Sequence, residues 1–127
     1  DETRTLYDSV GWAAYTVDLD ALIRGLENSA VVVTARSGGK LIGLARIVSD
    51  HATIAYLQDV LVHPSFRRRG IATALVNRAF APFGRVRQHV LLTDAEPGQR
   101  AFYESIGFTE IRDLPGQGCR SFVRFNP

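Results

Sequence analysis

Three apolar stretches follow one another between residues 30 and 62, and their period is that of strands. The first, AVVVTA at 30–35, is continuous and β-branched, as a strand covered on both faces should be. Ser37-Gly38-Gly39-Lys40 reads as the turn into a second strand, residues 41–48. The third, IAYLQDVLV at 54–62, stops at His63-Pro64. Three successive strands need helices to cover them, and the rest of the chain supplies these. Residues 70–80 carry Ile71, Ala74, Leu75 and Ala79 at helical spacing. Upstream, residues 3–10 read as a short helix, and a second begins at Asp18 or Asp20, either of which can cap it, and runs to Asn28. Downstream, residues 90–93 return to strand, 98–106 form a helix closed by Gly107, and two short strands are expected near 108–111 and 121–125. The order predicts an α/β fold of the α+β sandwich type, with a mixed, mostly antiparallel sheet of about six strands and helices on both faces.

Composition narrows the class. The chain has 127 residues, enough for one domain with a real core, so residues 1–127 are expected to form a single domain. With 46% hydrophobic and 22% charged residues, disordered, collagen-like and coiled-coil architectures are excluded. No apolar run reaches the ~20 residues of a membrane helix and no signal peptide is visible, so a cytoplasmic protein without membrane contact is expected. Cys119 is the single cysteine, which excludes an internal disulfide and reads as a small apolar residue. A net charge of +2 is too balanced for a dedicated nucleic-acid binder. His51, His63 and His89 have no metal-ligand spacing, so no metal is expected.

The stretch that carries chemistry is VLVHPSFRRRGIATALV, residues 60–76. A helix beginning with Gly70, Ile71, Ala72 and Thr73 exposes unpaired N–H groups with the positive end of its dipole behind them. Gly70 lets a ligand approach, and Arg67, Arg68 and Arg69 add positive charge at the same place. Together they make a cradle for phosphate or pyrophosphate. The arginines taken alone also suit a solvated face. The segment is neither a P-loop nor a dinucleotide fingerprint, since it lacks Gly-Lys-Ser/Thr and the three-glycine spacing.

Arg67-x-x-Gly70-x-Ala72, after a strand ending in Val-x-Pro, resembles the Q/R-x-x-G-x-G/A acyl-CoA signature of the GNAT N-acetyltransferase superfamily. A second signature, F-Y-x-x-x-G-F, stands at Phe102-Tyr103-Glu104-Ser105-Ile106-Gly107-Phe108. The likeness covers roughly residues 30–111. Residues 41–75, with the early Ser9-Val10-Gly11-Trp12, look like the small bacterial and plant-chloroplast members that acetylate arylalkylamines such as serotonin, and in some cases protein lysines. The resemblance implies a first strand that is short or missing here, acetyl-CoA as cosubstrate, a primary amine as acceptor, and direct attack without a covalent enzyme intermediate. It implies that the backbone of Leu61 and Val62 pairs with the pantetheine arm, with Phe102 also on the cofactor side, and that a homodimer can form. Glu96 stands near the place where many members carry an asparagine, and Gln58 where many carry a glutamate base.

Acetyl transfer needs a held donor, a deprotonated amine, a stabilised oxyanion and a protonated thiolate. Tyr103 is the candidate general acid within its motif, and a core tyrosine otherwise. Asp59, mid-strand among apolar neighbours, either pairs with an arginine such as Arg46 or faces a cleft and binds or deprotonates a cationic amine. Gln58 cannot accept a proton, and Asp59 can share its face only if the strand bulges. Trp12, Tyr15 and His51 either line the acceptor site with Gln58 or serve packing and a surface loop. Three functions follow: acetylation of a small amine, acetylation of a protein or peptide amine, and CoA binding without turnover.

Overall fold

The computed structural model describes residues 1–126 and falls into two compact units, the first Asp1–Leu92 and the second beginning at Thr93. The first contains α1 (Glu2–Ser9), α2 (Ala13–Thr16), α3 (Leu19–Glu27), β1 (Val31–Ser37), β2 (Lys40–Ser49), β3 (Ile54–Val62), α4 (Ile71–Phe80) and β4 (Gln88–Leu91). The sheet runs β1-β2-β3-β4, with the first two pairings antiparallel and β3–β4 parallel. The expected mixed, mostly antiparallel sheet is present.

Local chemistry sets the boundaries. Asp1 caps α1 by accepting from the Arg4 amide at 3.0 Å, and Asp18, rather than Asp20, caps α3 by accepting from the Ala21 amide at 3.1 Å. Gly38 and Gly39 take φ of 57° and 79°, the two positive values of a type I′ hairpin turn, so Ser37 faces Lys40.

Helices cover both faces. A Cβ at Gly43 would stand 3.1 Å from Leu75 Cδ1, so Gly43 faces α4. Arg46, three residues along β2, faces α3, where a Cβ at Gly25 would stand 3.2 Å from its Nη1. Odd spacing on a regular stretch of strand gives opposite faces. The α1–α3 face buries Leu6, Tyr7, Leu22, Leu41, Leu44 and Leu61 as one cluster.

The second unit holds α5 (Pro97–Ser105) and a 3-10 turn, Ile111–Asp113. The expected strands near 108–111 and 121–125 are absent, and the sheet has four strands among the described residues rather than about six. Arg100 draws the first of these segments back onto α5, pairing with Glu110 at 2.6 Å and with Asp113. The Phe108 amide donates to the Tyr103 carbonyl at 3.0 Å, which the left-handed Gly107 (φ 97°) permits. In the second segment Phe122 and Phe125 are each 88% exposed, so no apolar burial offsets the entropy of an extended conformation.

Candidate active site

The site begins where β3 parts from β4. The two strands pair only from Ile54 to Leu57, opposite Gln88 to Leu91. From Gln58 onward that edge of β3 has no strand partner among the described residues, so its N–H and C=O groups are open to a ligand. On the other side Leu61 and Val62 are held against Leu44 and Gly43. The parting coincides with a bulge: Arg46 faces Asp59 while Ile47 faces Leu57, leaving Gln58 as the extra residue.

Past Val62 the chain enters a tight loop. His63 Nδ1 accepts from the Ser65 amide at 3.1 Å, and the Arg69 guanidinium lies 5.1 Å from the centre of the Phe66 ring. Arg68 and Gly70 have φ of 63° and 76°, left-handed values that turn the chain sharply into α4. Arg68 has no steric licence for that conformation, and such strain concentrates at functional segments. Gly70 is the N-cap, and no side chain caps the helix. Ala74 makes the first backbone bond, donating to the Gly70 carbonyl at 3.1 Å. The amides of Ile71, Ala72 and Thr73 therefore point out of the helix start, and the space a Gly70 Cβ would enter holds no other atom within 4 Å. Arg67, Arg68 and Arg69 are all exposed beside it. An open strand edge, an uncapped helix start and adjacent arginines fit a long anionic ligand with a polar, amide-bearing arm.

The α1–α3 face of β3 holds a buried polar cluster. Asp59 is 3% exposed and Arg46 Nε donates to its Oδ2 at 2.6 Å. Tyr7 Oη donates to the same oxygen at 3.1 Å and Tyr15 Oη to Oδ1 at 2.6 Å. The pairing with Arg46 is thus the alternative that the structure shows, and the bulge exists as well. Because of it Gln58 reaches the same group: its Nε2 donates to Tyr15 Oη at 3.0 Å. Burial first, then the Asp59 charge, raises the Tyr7 hydroxyl far above the usual phenol range. Burial and the bond to Asp59 raise Tyr15 too. For Arg46, burial works downward, but the bond to Asp59 and its charge outweigh it and leave the guanidinium raised.

Trp12 is half-buried and packs on this cluster, its ring centre 6.0 Å from Tyr7 and 6.1 Å from Tyr15. His51 is not brought to it. It sits in the β2–β3 turn with φ 63°, stacked on Phe83 at 5.7 Å, at the end of β3 opposite Val62. Asp50 organises that turn by accepting from the amides of Ala52, Thr53 and Ile54.

In the second unit Tyr103 is 8% exposed, edge-on to Phe102 at 4.9 Å and to Phe108 at 6.0 Å. Burial, then the Asp94 charge, pushes its hydroxyl up to about 12. Glu96 is the N-cap of α5 with no side-chain bond to it. Cys119 is a free, exposed cysteine. Among the described residues no group of three or more His, Cys, Asp or Glu could hold a metal, and no helix is long and apolar enough to cross a membrane.

Residues 27–110 match the acetyltransferase (GNAT) domain family. The chain belongs to that family. A GNAT-family acetyltransferase from Streptococcus pneumoniae superposes with a TM-score of 0.85 at 30% identity, over 98% of this chain and 89% of its own. An uncharacterized N-acetyltransferase of Pyropia yezoensis is 29% identical over 119 residues, 91% of this chain and 66% of its own length. A histone acetyltransferase of Glycine max is 31% identical over 120 residues, 84% of this chain and 50% of its own length. The chain thus spans about two thirds and one half of these two curated relatives.

The uncapped, arginine-flanked start of α4 in this GNAT chain was legible because glycine and arginine sit next to one another in sequence. Nothing in the sequence points to Tyr7, since an ordinary amphipathic helix gives no sign that its hydroxyl meets a carboxylate 52 residues away. The one available signal was Asp59 itself: a carboxylate in an apolar strand demands donors from somewhere.

Proposed function

We propose that the chain is an acetyl-CoA-dependent N-acetyltransferase that moves the acetyl group to a primary amine by direct attack, the acceptor being a small arylalkylamine. The observation that carries this is the β3 edge opening onto the uncapped start of α4 in a chain of the GNAT family. Leu61 and Val62 offer backbone groups to the pantetheine arm. Arg67, Arg68, Arg69, Gly70, Ile71, Ala72 and Thr73 receive the pyrophosphate, with charge from the guanidinium groups and direction from the amides.

Tyr103 is proposed as the donor to the leaving thiolate, with Phe102 beside it in the matching motif. A hydroxyl pushed up to about 12 stays protonated through any ordinary assay, so it can donate and not accept. Asp59 is not the base in this reading. Its oxygens are occupied by Arg46, Tyr7 and Tyr15, and protonating it would leave Arg46 buried without a counter-charge. Water takes the amine's proton. Trp12 and Gln58 contribute to the acceptor side, and His51, on the distant turn, does not.

A protein amine is the second reading, favoured by the likeness to a histone acetyltransferase. The test is thiol release from acetyl-CoA with a panel of primary amines that includes 2-phenylethylamine and a lysine-bearing peptide. Turnover with the arylamine is expected. Turnover with the peptide alone would move the assignment to protein acetylation, and CoA binding without any turnover would defeat both in favour of a sensor.

A further inference from the structure

We propose that Tyr15 is a positioning residue, whose hydroxyl fixes the Gln58 carboxamide so that Oε1 receives a hydrogen bond from the N–H of the incoming amine. This rests on the acyltransferase reading above and extends it to the atom that holds the acceptor.

The argument follows the direction of each hydrogen bond outward from the sheet. Asp59, paired with Arg46, is a carboxylate that can only accept. Tyr15 has one hydroxyl proton, and at 2.6 Å from Asp59 Oδ1 that proton is committed. Tyr15 Oη can therefore only accept from anything else. Gln58 lies 3.0 Å from it and must offer Nε2, not Oε1. A carboxamide that turns its nitrogen inward turns its carbonyl oxygen outward. Gln58 is exposed, on the bulge where β3 leaves β4, and among the described residues no donor reaches its Oε1. A buried ion pair thus sets the polarity of a surface acceptor two bonds away.

The chemistry suits an amine that has to lose a proton. A carboxylate at this place would pair with the ammonium and could itself take the proton, which a carboxamide cannot do. A carboxamide oxygen accepts from the neutral amine as well as from its cation, so it positions the nitrogen without opposing deprotonation. The ligand class is an amine with at least one N–H, its carbon side chain running toward the rings of Tyr15 and Trp12.

The experiment is a double-mutant cycle with Tyr15→Phe and Gln58→Leu, using acetyl-CoA and 2-phenylethylamine. Tyr15→Phe keeps the ring and removes the hydroxyl. Each single change should raise the KM for the amine about tenfold, the usual worth of one hydrogen bond. The KM for acetyl-CoA should hold within about twofold. The double variant should match either single one, because Tyr15 acts only through Gln58. An unchanged amine KM in Tyr15→Phe, or single effects that multiply in the double variant, would overturn the assignment while leaving the acyltransferase reading intact. Wild-type protein that releases no thiol with any amine would overturn both. A second measurement does not depend on the variants folding. In the nitrogen–proton NMR spectrum of the wild type, one Gln58 side-chain amide proton should be shifted and protected from exchange relative to its twin, and two equally exchanging protons would refute the bond.

Discussion

Replacing Asp59 by asparagine removes the charge against which Arg46 is buried, at 2.6 Å, and leaves the guanidinium uncompensated. Breaking such a pair from one side costs about 3–5 kcal/mol. Asp59→Asn should therefore lower unfolding stability by about that amount, read from the urea midpoint. A variant as stable as the wild type but with turnover lost would make Asp59 a catalytic base after all. Tyr103→Phe tests the opposite kind of residue. It keeps the packing on Phe102 and Phe108, so turnover should fall about 100-fold while stability and the KM for acetyl-CoA change little. Wild-type rates would reduce Tyr103 to a packing residue. All four tyrosines, Tyr7, Tyr15, Tyr56 and Tyr103, are raised, burial being the leading cause in each. The folded state thus favours the neutral phenols. The stability this contributes is complete below the ordinary phenol value near ~10 and is lost as the pH climbs above it. Ultraviolet titration should show phenolate forming at higher pH in the folded protein than in denaturant, and Tyr7→Phe should flatten the alkaline fall in stability. Coincident titration curves would contradict the burial of these hydroxyls.

Among the elements, α4 packs tightly on β2 at Gly43, where an added Cβ would stand 3.1 Å from Leu75 Cδ1 and 3.3 Å from Ala35 Cβ on β1. Gly43→Ala should destabilise the fold by about 1–3 kcal/mol through overpacking, since Leu75 is buried and neither Ala35 Cβ nor the Leu61 carbonyl, 3.4 Å away, can swing aside. A neutral or stabilising effect in a thermal melt would mean that α4 sits farther from the sheet. The strands of this core were legible in the sequence. The continuous AVVVTA run, the Gly38-Gly39 turn and the stop at His63-Pro64 each act locally, and β1, β2 and β3 appear within a residue or two of their expected ends. The short α2 was not legible, because four residues around Ala13-Ala14 give no period to read. The strand pattern at 121–125 misled, because apolar residues argue for a strand only if something pairs with and covers them, and Phe122 and Phe125 are bare. The bulge at Gln58 could be named only as a condition for Asp59 to share its face, since a bulge is set by cross-strand register and not by the residue that bulges.

At the scale of the whole molecule, the proposed function divides the chemistry of the chain by kind. Donor binding is assigned to backbone at the open edge of β3 and the start of α4, acceptor binding to side chains organised by the buried Arg46–Asp59 pair. The uncapped helix start behind the first was readable from Arg67-Arg68-Arg69-Gly70 because its parts are contiguous. The buried cluster behind the second was only half readable, because Tyr7, Tyr15, Arg46 and Asp59 meet from four elements, α1, α2, β2 and β3. The measurement that bears most directly on this account is a calorimetric titration of CoA into the wild type and Gly70→Val, each first shown to be folded by circular dichroism. Gly70 has φ 76° and open space before it, so a branched side chain there both strains the turn and fills the approach to the exposed amides. The account predicts binding to the wild type and a loss of at least about tenfold in Gly70→Val. Equal affinity in the two proteins would contradict the placement of the cosubstrate at the start of α4.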